Sequence, residues 1–267
     1  MRCVVNNKRG NSGSCAFGPR RSEYTHAVQH LLCGKIPEGW EWVHSSSGTR
    51  VARRLQPYAA YYKEFLRRSP LENFKNLFRG SRCDRARLQG RILQQRGFRS
   101  PAVLCWGKQG GRHFMVTEGV KAAGLFDFIR KHWDPPLTRE KLHAKRRLIE
   151  KLGEEIGRLH QEGICHGDLR LNNILVQQTE KEIHFYLIDN ERNRCFAKIP
   201  RRRIGKNLVQ INMIFPPHVT VRDRLRFFRA YCRAYPRFTF EQERRFMQKV
   251  QQQTLRRLAA IAARPQL

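Results

Sequence analysis

Ile164-Cys165-His166-Gly167-Asp168-Leu169-Arg170-Leu171-Asn172-Asn173-Ile174-Leu175-Val176 follows a long amphipathic stretch and ends in the first of two short apolar runs. The second of these, Ile183–Ile188, alternates Ile183, Phe185 and Leu187 on one face and ends in Leu187-Ile188-Asp189. The pattern is His-x-Asp, an asparagine five residues after the aspartate, and a second aspartate at the end of an apolar strand. These residue types suit phosphoryl transfer. An acceptor hydroxyl must be oriented and its proton removed, which one loop carboxylate, Asp168, does as general base. The phosphates need a hard cation with oxygen ligands, and Asn173 and Asp189 supply an amide oxygen and a carboxylate for Mg²⁺. Arg170 lies two residues beyond Asp168, within reach of a transferring phosphate. His166 is expected to brace the loop rather than react.

Working outward, Thr138–Gln161 reads as a helix whose Ile149, Leu152, Ile156 and Leu159 form an apolar stripe, stopped by Gly163. Before it, Lys121–Trp133 reads as a helix ending at Asp134-Pro135-Pro136. Beyond Asp189, helices are expected from about Ile204, from Thr220 and from Thr239, with Gln242 completing the last start. The first half is strand-rich. Trp40–Val43, Thr49–Leu55 and Ala59–Leu66 are expected strands, followed by a capped helix at Ser69-Pro70-Leu71-Glu72 and a second from Ser81 to about Gly97. Two more strands, Ala102–Trp106 and His113–Thr117, flank the turn at Lys108–Gly111. The organisation expected is a basic arm over 1–37 with a short helix near Tyr24–Leu32, a first lobe over 38–118 and a helical second lobe over 119–267. In the first lobe, Lys63 sits inside an apolar strand where a lysine serves a phosphate or snorkels to the edge. Glu118 and Val120 lie at the join, where backbone groups meet adenine. No G-x-G-x-x-G and no Walker sequence is present, so a dinucleotide fold is not expected.

The chain carries 53 Lys and Arg against 22 acidic residues, a formal net charge of +31. A field of that sign attracts polyanions: nucleic acid, acidic head groups or a phosphorylated glycan. Eight cysteines are scattered without a Cys-x-x-Cys pair, which suits a reducing compartment. No apolar core follows the Met-Arg start, and no run approaches the ~20 apolar residues that span a bilayer, so any membrane contact is expected to be peripheral.

These segments together resemble the lipopolysaccharide kinase family, the Kdo and heptose kinases of the Gram-negative inner core. The resemblance is carried by Tyr62-Lys63-Glu64-Phe65, Phe78-Arg79-Gly80-Ser81-Arg82, Gly97-Phe98-Arg99-Ser100-Pro101, the loop from His166 to Asn173, and Leu187-Ile188-Asp189 with Arg192. It implies an α+β, two-lobed protein-kinase-like fold using ATP and Mg²⁺. It also implies a lipid-linked anionic glycan acceptor, phosphorylated on a sugar hydroxyl at the anionic cytoplasmic face of the inner membrane. No nucleic acid and no obligate protein partner are implied. The helix from Ser81 offers only Asp84 as an acid for Lys63, and Asp189-Asn190-Glu191 stands where protein kinases carry Asp-Phe-Gly. Aminoglycoside and choline kinases share His-Gly-Asp but bind cationic acceptors, against the grain of this charge. A Ser/Thr protein kinase lacks its Ala-Pro-Glu signature here. A nucleic-acid binder on the same scaffold stays open as a non-enzymatic alternative.

Overall fold

The computed structural model describes residues 21–66, 80–179, 182–215, 217–237 and 239–263. The helix expected from Ser69 and the first part of the basic arm lie outside these residues. The chain divides into two compact units: the described residues of Met1–Arg91 with Pro101–Val120, and Ile92–Ser100 with those of Lys121–Leu267.

The first unit is built on a five-stranded antiparallel sheet. Its strands are β1 (Trp40–Val43), β2 (Thr49–Arg54), β3 (Ala60–Phe65), β4 (Val103–Gln109) and β5 (Arg112–Glu118), in the order β1-β2-β3-β5-β4. Alternation along β3 decides what each face carries. Ala60 and Tyr62 are buried with Trp40, Ala52, Phe114 and Val116, whereas Phe65 is buried with Met115 on the opposite face. Helix α1 (Arg21–Leu32) covers the first face with Tyr24, Val28, Leu31 and Leu32, spaced as one helical stripe. The Arg21–Leu32 part of the expected basic arm is therefore a structural layer. Arg54 fastens it, with its guanidinium over the Tyr24 and Trp40 rings and an ion pair to Glu23 at 3.3 Å. Helix α2 (Arg82–Gln95) places Cys83 and Ala86 on the other face, beside Phe65 and Met115. Its start is the reciprocal cap expected from sequence: the Asp84 amide donates to Ser81 Oγ, and the Ser81 amide and hydroxyl donate to Asp84 Oδ2.

In the second unit, α4 (Arg139–Gln161) and α6 (Val221–Ala234) form the central helix pair. Their close approach depends on Gly153 and Gly157. A side chain at either would collide with the α6 backbone, at Phe227 O or at Tyr231 O. The stripe Ile149, Leu152, Ile156 and Leu159 is buried, as its period requires. One ion pair is buried with it: Lys145 Nζ lies 2.9 Å from Asp223 Oδ2, and both side chains are about 5% exposed or less. Asp223 also completes the capping box with Thr220 that opens α6.

The helix expected from Lys121 instead begins at Leu125, as α3 (Leu125–His132). Ala123–Gly124 form a short strand, β6, that pairs with β8 (Ile174–Gln178). Pairing satisfies the β6 backbone across the sheet, and Leu125 and Ile129 become the buried face of the shortened helix. Strand β8 continues into a hairpin with β9 (Ile183–Leu187), giving the sheet order β6-β8-β9. Two-residue strands β7 (Ile164–Cys165) and β10 (Arg194–Cys195) pair on either side of the chemistry-bearing segments. Helices α5 (Arg201–Ile211) and α7 (Phe240–Ala262) complete the unit. No helix among the described residues is long and apolar enough to cross a membrane.

Candidate active site

The segment between β7 and β8 is a loop held from beneath. Gly167 sits against the backbone of Arg192, where no side chain fits, and its amide donates to Asn193 Oδ1 at 3.1 Å. His166 is almost fully buried. Its Nδ1 accepts the Asp168 amide at 3.1 Å, which makes Nε2 the protonated nitrogen, donating to Ile188 O at 3.2 Å. Burial lowers the pKa of this imidazole and keeps it neutral, despite the Ile188 carbonyl and the nearby Asp189 and Asp168 carboxylates that raise it. The side chain thus ties the loop to the strand end carrying Asp189.

Asp168 presents a partly exposed carboxylate. Arg170 Nε donates to its Oδ1 at 2.9 Å and Gln210 Nε2 to the same oxygen at 2.8 Å. Asn173 begins the turn into β8. Its Nδ2 donates to Asp168 O at 2.8 Å, which directs Oδ1, the metal-binding atom of an asparagine, away from that bond. The Ile188 amide donates to Asn173 O at 3.0 Å, so Asp189 follows directly on a residue bonded to Asn173. Asp189 is left-handed, at φ 59° and ψ 45°, and no other non-glycine residue among those described has positive φ. That conformation is costly outside glycine and is typical of residues whose orientation serves a site. Asn190 locks it from behind, donating to Ser100 Oγ and Leu187 O at 3.0 Å and accepting from Asn193.

The structure therefore gathers Asp168, Arg170, Asn173 and Asp189 within the second unit. An amide oxygen and a carboxylate on neighbouring segments fit the oxygen preference of Mg²⁺. Lys63, Glu118 and Val120 lie in the first unit. Lys63 projects from β3 on the Phe65 face, with Nζ 5.4 Å from that ring's centroid. Glu118 is committed to β4: its amide donates to Ala102 O at 2.9 Å and its Oε1 accepts the Ala102 amide at 2.8 Å. The turn at Ser45–Gly48 is pinned by buried Arg82, whose Nη1 donates to Gly48 O at 2.7 Å.

Sequence reasoning missed Asn207 and Gln210. Both lie on the buried face of α5, three residues apart, and polar residues there are the signal that was available. Asn207 Nδ2 donates to His166 O at 2.7 Å and to Gln210 Oε1 at 3.3 Å. Asn207 Oδ1 meets His160 Nε2 at 3.1 Å, and His160 Nδ1 meets the Tyr231 hydroxyl at 2.9 Å. Burial pushes the His160 imidazole down to about 4 from its ordinary 6.5. Protonation therefore favours the unfolded chain, and stability is lost as pH falls through that interval, by up to roughly 1.4 kcal/mol per pH unit. The melting temperature is expected to fall between about pH 6.5 and 4, less steeply in His160→Gln. Equal slopes in the two proteins would remove His160 from this account.

After Asp189 the surface is cationic. Arg192, Arg194, Lys198, Arg201 and Arg202 are exposed, Arg203 lies over the Phe196 ring, and Lys206 Nζ is 3.4 Å from Gly167 O.

Residues 90–231, more than half of the chain, match the sequence model of the Lipopolysaccharide kinase (Kdo/WaaP) family. The chain belongs to that family. The 3-deoxy-D-manno-octulosonic acid kinase of Pasteurella multocida is 37% identical over 26% of this chain and 28% of its own. The lipopolysaccharide core heptose(I) kinase WaaP of Pseudomonas aeruginosa is 26% identical over 54% of this chain and 56% of its own. The matches thus span about half or less of these curated relatives. Among solved structures, WaaP in complex with acyl carrier protein superposes with a TM-score of 0.59 at 20% identity, covering 86% of this chain and 95% of that one. WbdD superposes at 0.51 with 16% identity, over 80% of this chain and 50% of that one. The fold is the α+β protein-kinase-like fold that the family resemblance implies.

Proposed function

We propose that this family member is an ATP-dependent kinase that phosphorylates a sugar hydroxyl of the lipopolysaccharide inner core, on Kdo or heptose. The observation that carries the reading is the grouping of Asp168, Asn173 and Asp189 on a loop and strand end that are hydrogen-bonded together. In this reading Asp168 accepts the proton of the sugar hydroxyl as the new O–P bond forms, and ADP departs with the electrons of the broken bond. Asn173 Oδ1 and the Asp189 carboxylate hold Mg²⁺. When bound, the ion neutralises charge on the phosphates. Arg170, anchored to Asp168, offers positive charge where the transferred phosphoryl passes. Lys63 serves the nucleotide phosphates, and the Glu118 carbonyl with Val120 serves the base.

The cationic run from Arg192 to Lys206 suits an anionic acceptor. Arginine matches carboxylate and phosphate groups with paired hydrogen bonds. Each cation near an anionic bilayer adds about 1 kcal/mol, so a few hold an enzyme at the cytoplasmic face of the inner membrane without a spanning helix. The test incubates the protein with Mg²⁺, γ-labelled ATP and purified inner-core lipopolysaccharide, with kanamycin and choline as competing acceptors. Label is expected in the Kdo–heptose fraction alone. Transfer to kanamycin or choline instead would replace the acceptor assignment, and no Mg²⁺-dependent transfer to any of them would reject this kinase reading.

A further inference from the structure

We propose that Gln210 is a positioning residue for the catalytic base, presenting one chosen oxygen of Asp168 to the acceptor hydroxyl. This rests on the assignment of Asp168 as base. Gln210 is a buried residue of α5, and both ends of its carboxamide are in use. Oε1 receives the Leu169 amide at 3.3 Å and Asn207 Nδ2 at 3.3 Å. Two donors on that atom fix the orientation of the amide, so the atom facing Asp168 Oδ1 at 2.8 Å is Nε2, a donor. Arg170 Nε donates to the same Oδ1. With both protein donors on Oδ1, Oδ2 is the oxygen that meets the acceptor.

Gln210 and Arg170 are not equivalent partners. Arg170 is 68% exposed and its hold is exchanged readily with water. Gln210 is borne on a helix and backed by a chain of bonds with one direction. The Tyr231 hydroxyl donates to His160 Nδ1, His160 Nε2 to Asn207 Oδ1, Asn207 Nδ2 to Gln210 Oε1, and Gln210 Nε2 to Asp168. His160 stays neutral through the range in which an enzyme works, because burial holds its imidazole near 4. The sequence of donors and acceptors is therefore constant, and it aims a single N–H at the carboxylate. A base that must be ionised and oriented before the acceptor arrives is served by a donor that needs no reorganisation.

The decisive variant is Gln210→Glu. It has the same shape and keeps an acceptor for Leu169 and Asn207, but it turns the contact with Asp168 from attraction to repulsion. The other charged and titratable groups around Asp168 are unchanged: Arg170 and His166 on the loop, Asp189 and Arg192 beyond β9, and Lys206 on α5. Turnover with inner-core lipopolysaccharide is expected to fall roughly 10- to 100-fold at neutral pH. The acidic limb of kcat should move up by about one pH unit or more, because adjacent carboxylates favour the protonated form. The KM for ATP should stay within about twofold. Gln210→Met, which deletes the donor to Asp168 together with the acceptor for Leu169 and Asn207 but adds no charge, should show a smaller shift in the same direction. An acidic limb at its wild-type position in both folded variants overturns the proposal, whatever their melting temperatures, and so does failure of both to fold, which makes the residue structural. Asp168→Asn is run in parallel. If it retains wild-type turnover, the base assignment falls and this proposal with it; if it is inactive while the Gln210 variants behave as wild type, only this proposal falls.

Discussion

Asp168→Asn is expected to lower phosphoryl transfer by roughly 10²–10⁴-fold, the scale on which a general base acts. The substitution exchanges a carboxylate oxygen for an amide nitrogen and leaves volume unchanged. Asp168 Oδ1 already receives Gln210 and Arg170, so asparagine has an oxygen to offer both and the loop keeps its shape. The remaining bonds of the loop do not involve the carboxylate. His166 accepts the Asp168 amide, and Asn173 donates to the Asp168 carbonyl. Nucleotide binding should therefore persist while turnover collapses. Single-turnover rates beside Mg²⁺-ATP affinity separate the two. Turnover close to wild type would reject Asp168 as the base, and a parallel loss of ATP binding would show that the residue holds the site together instead.

Lys145→Met is expected to destabilise the fold by about 3–5 kcal/mol, the cost of stranding a buried charge. The ammonium sits 2.9 Å from Asp223, donates to His218 O at 2.7 Å and lies 5.2 Å from the Trp133 ring centroid. Methionine fills the stem's volume but leaves the Asp223 carboxylate with Thr220 and a 3.6 Å contact to Arg226. For Asp223, burial raises the pKa, but the Thr220 amide and hydroxyl and the Lys145 ammonium together outweigh it and hold the carboxyl below its ordinary range. With a depressed folded-state value, its contribution is fully present above the unfolded-state value and disappears as pH falls through the folded one. Urea unfolding near neutrality should therefore show the full loss in Lys145→Met, and the gap to wild type should narrow in acid. The paired change Lys145→Met with Asp223→Leu should recover part of the loss, since replacing both charges is far cheaper than orphaning one. A loss below about 1 kcal/mol in the single variant would mean that water reaches the pair.

Local rules were enough for much of this molecule. The starts of α2, α4, α6 and α7 are legible because each cap is a contact between residues three apart. The β8–β9 hairpin is legible because alternation of period two survives along it. The start of α3 was not legible. Lys121–Gly124 carry no strong local preference, and pairing with β8 decided their state. The helix in the basic arm was only faintly visible, because the face that stabilises Tyr24, Val28 and Leu31 belongs to strands that begin at Trp40.

The same division runs through the candidate site. His166, Asp168, Arg170, Asn173 and Asp189 stand in one short stretch, so sequence alone singled out the residues to which the chemistry is assigned in the proposed function. It also determined the +31 charge, since charge is a sum that needs no geometry. What only the tertiary structure decided is how those groups are aimed. The bond from His166 to Ile188 O, the hold of Asn190 on Ser100 beside the left-handed Asp189, the alignment of α4 and α6 through Gly153 and Gly157, and the hold of Gln210 on Asp168 all join residues distant in the chain. Residue type and spacing encode what a side chain can do. Its direction is set by hydrogen-bond partners and packing surfaces that exist only once remote segments have come together.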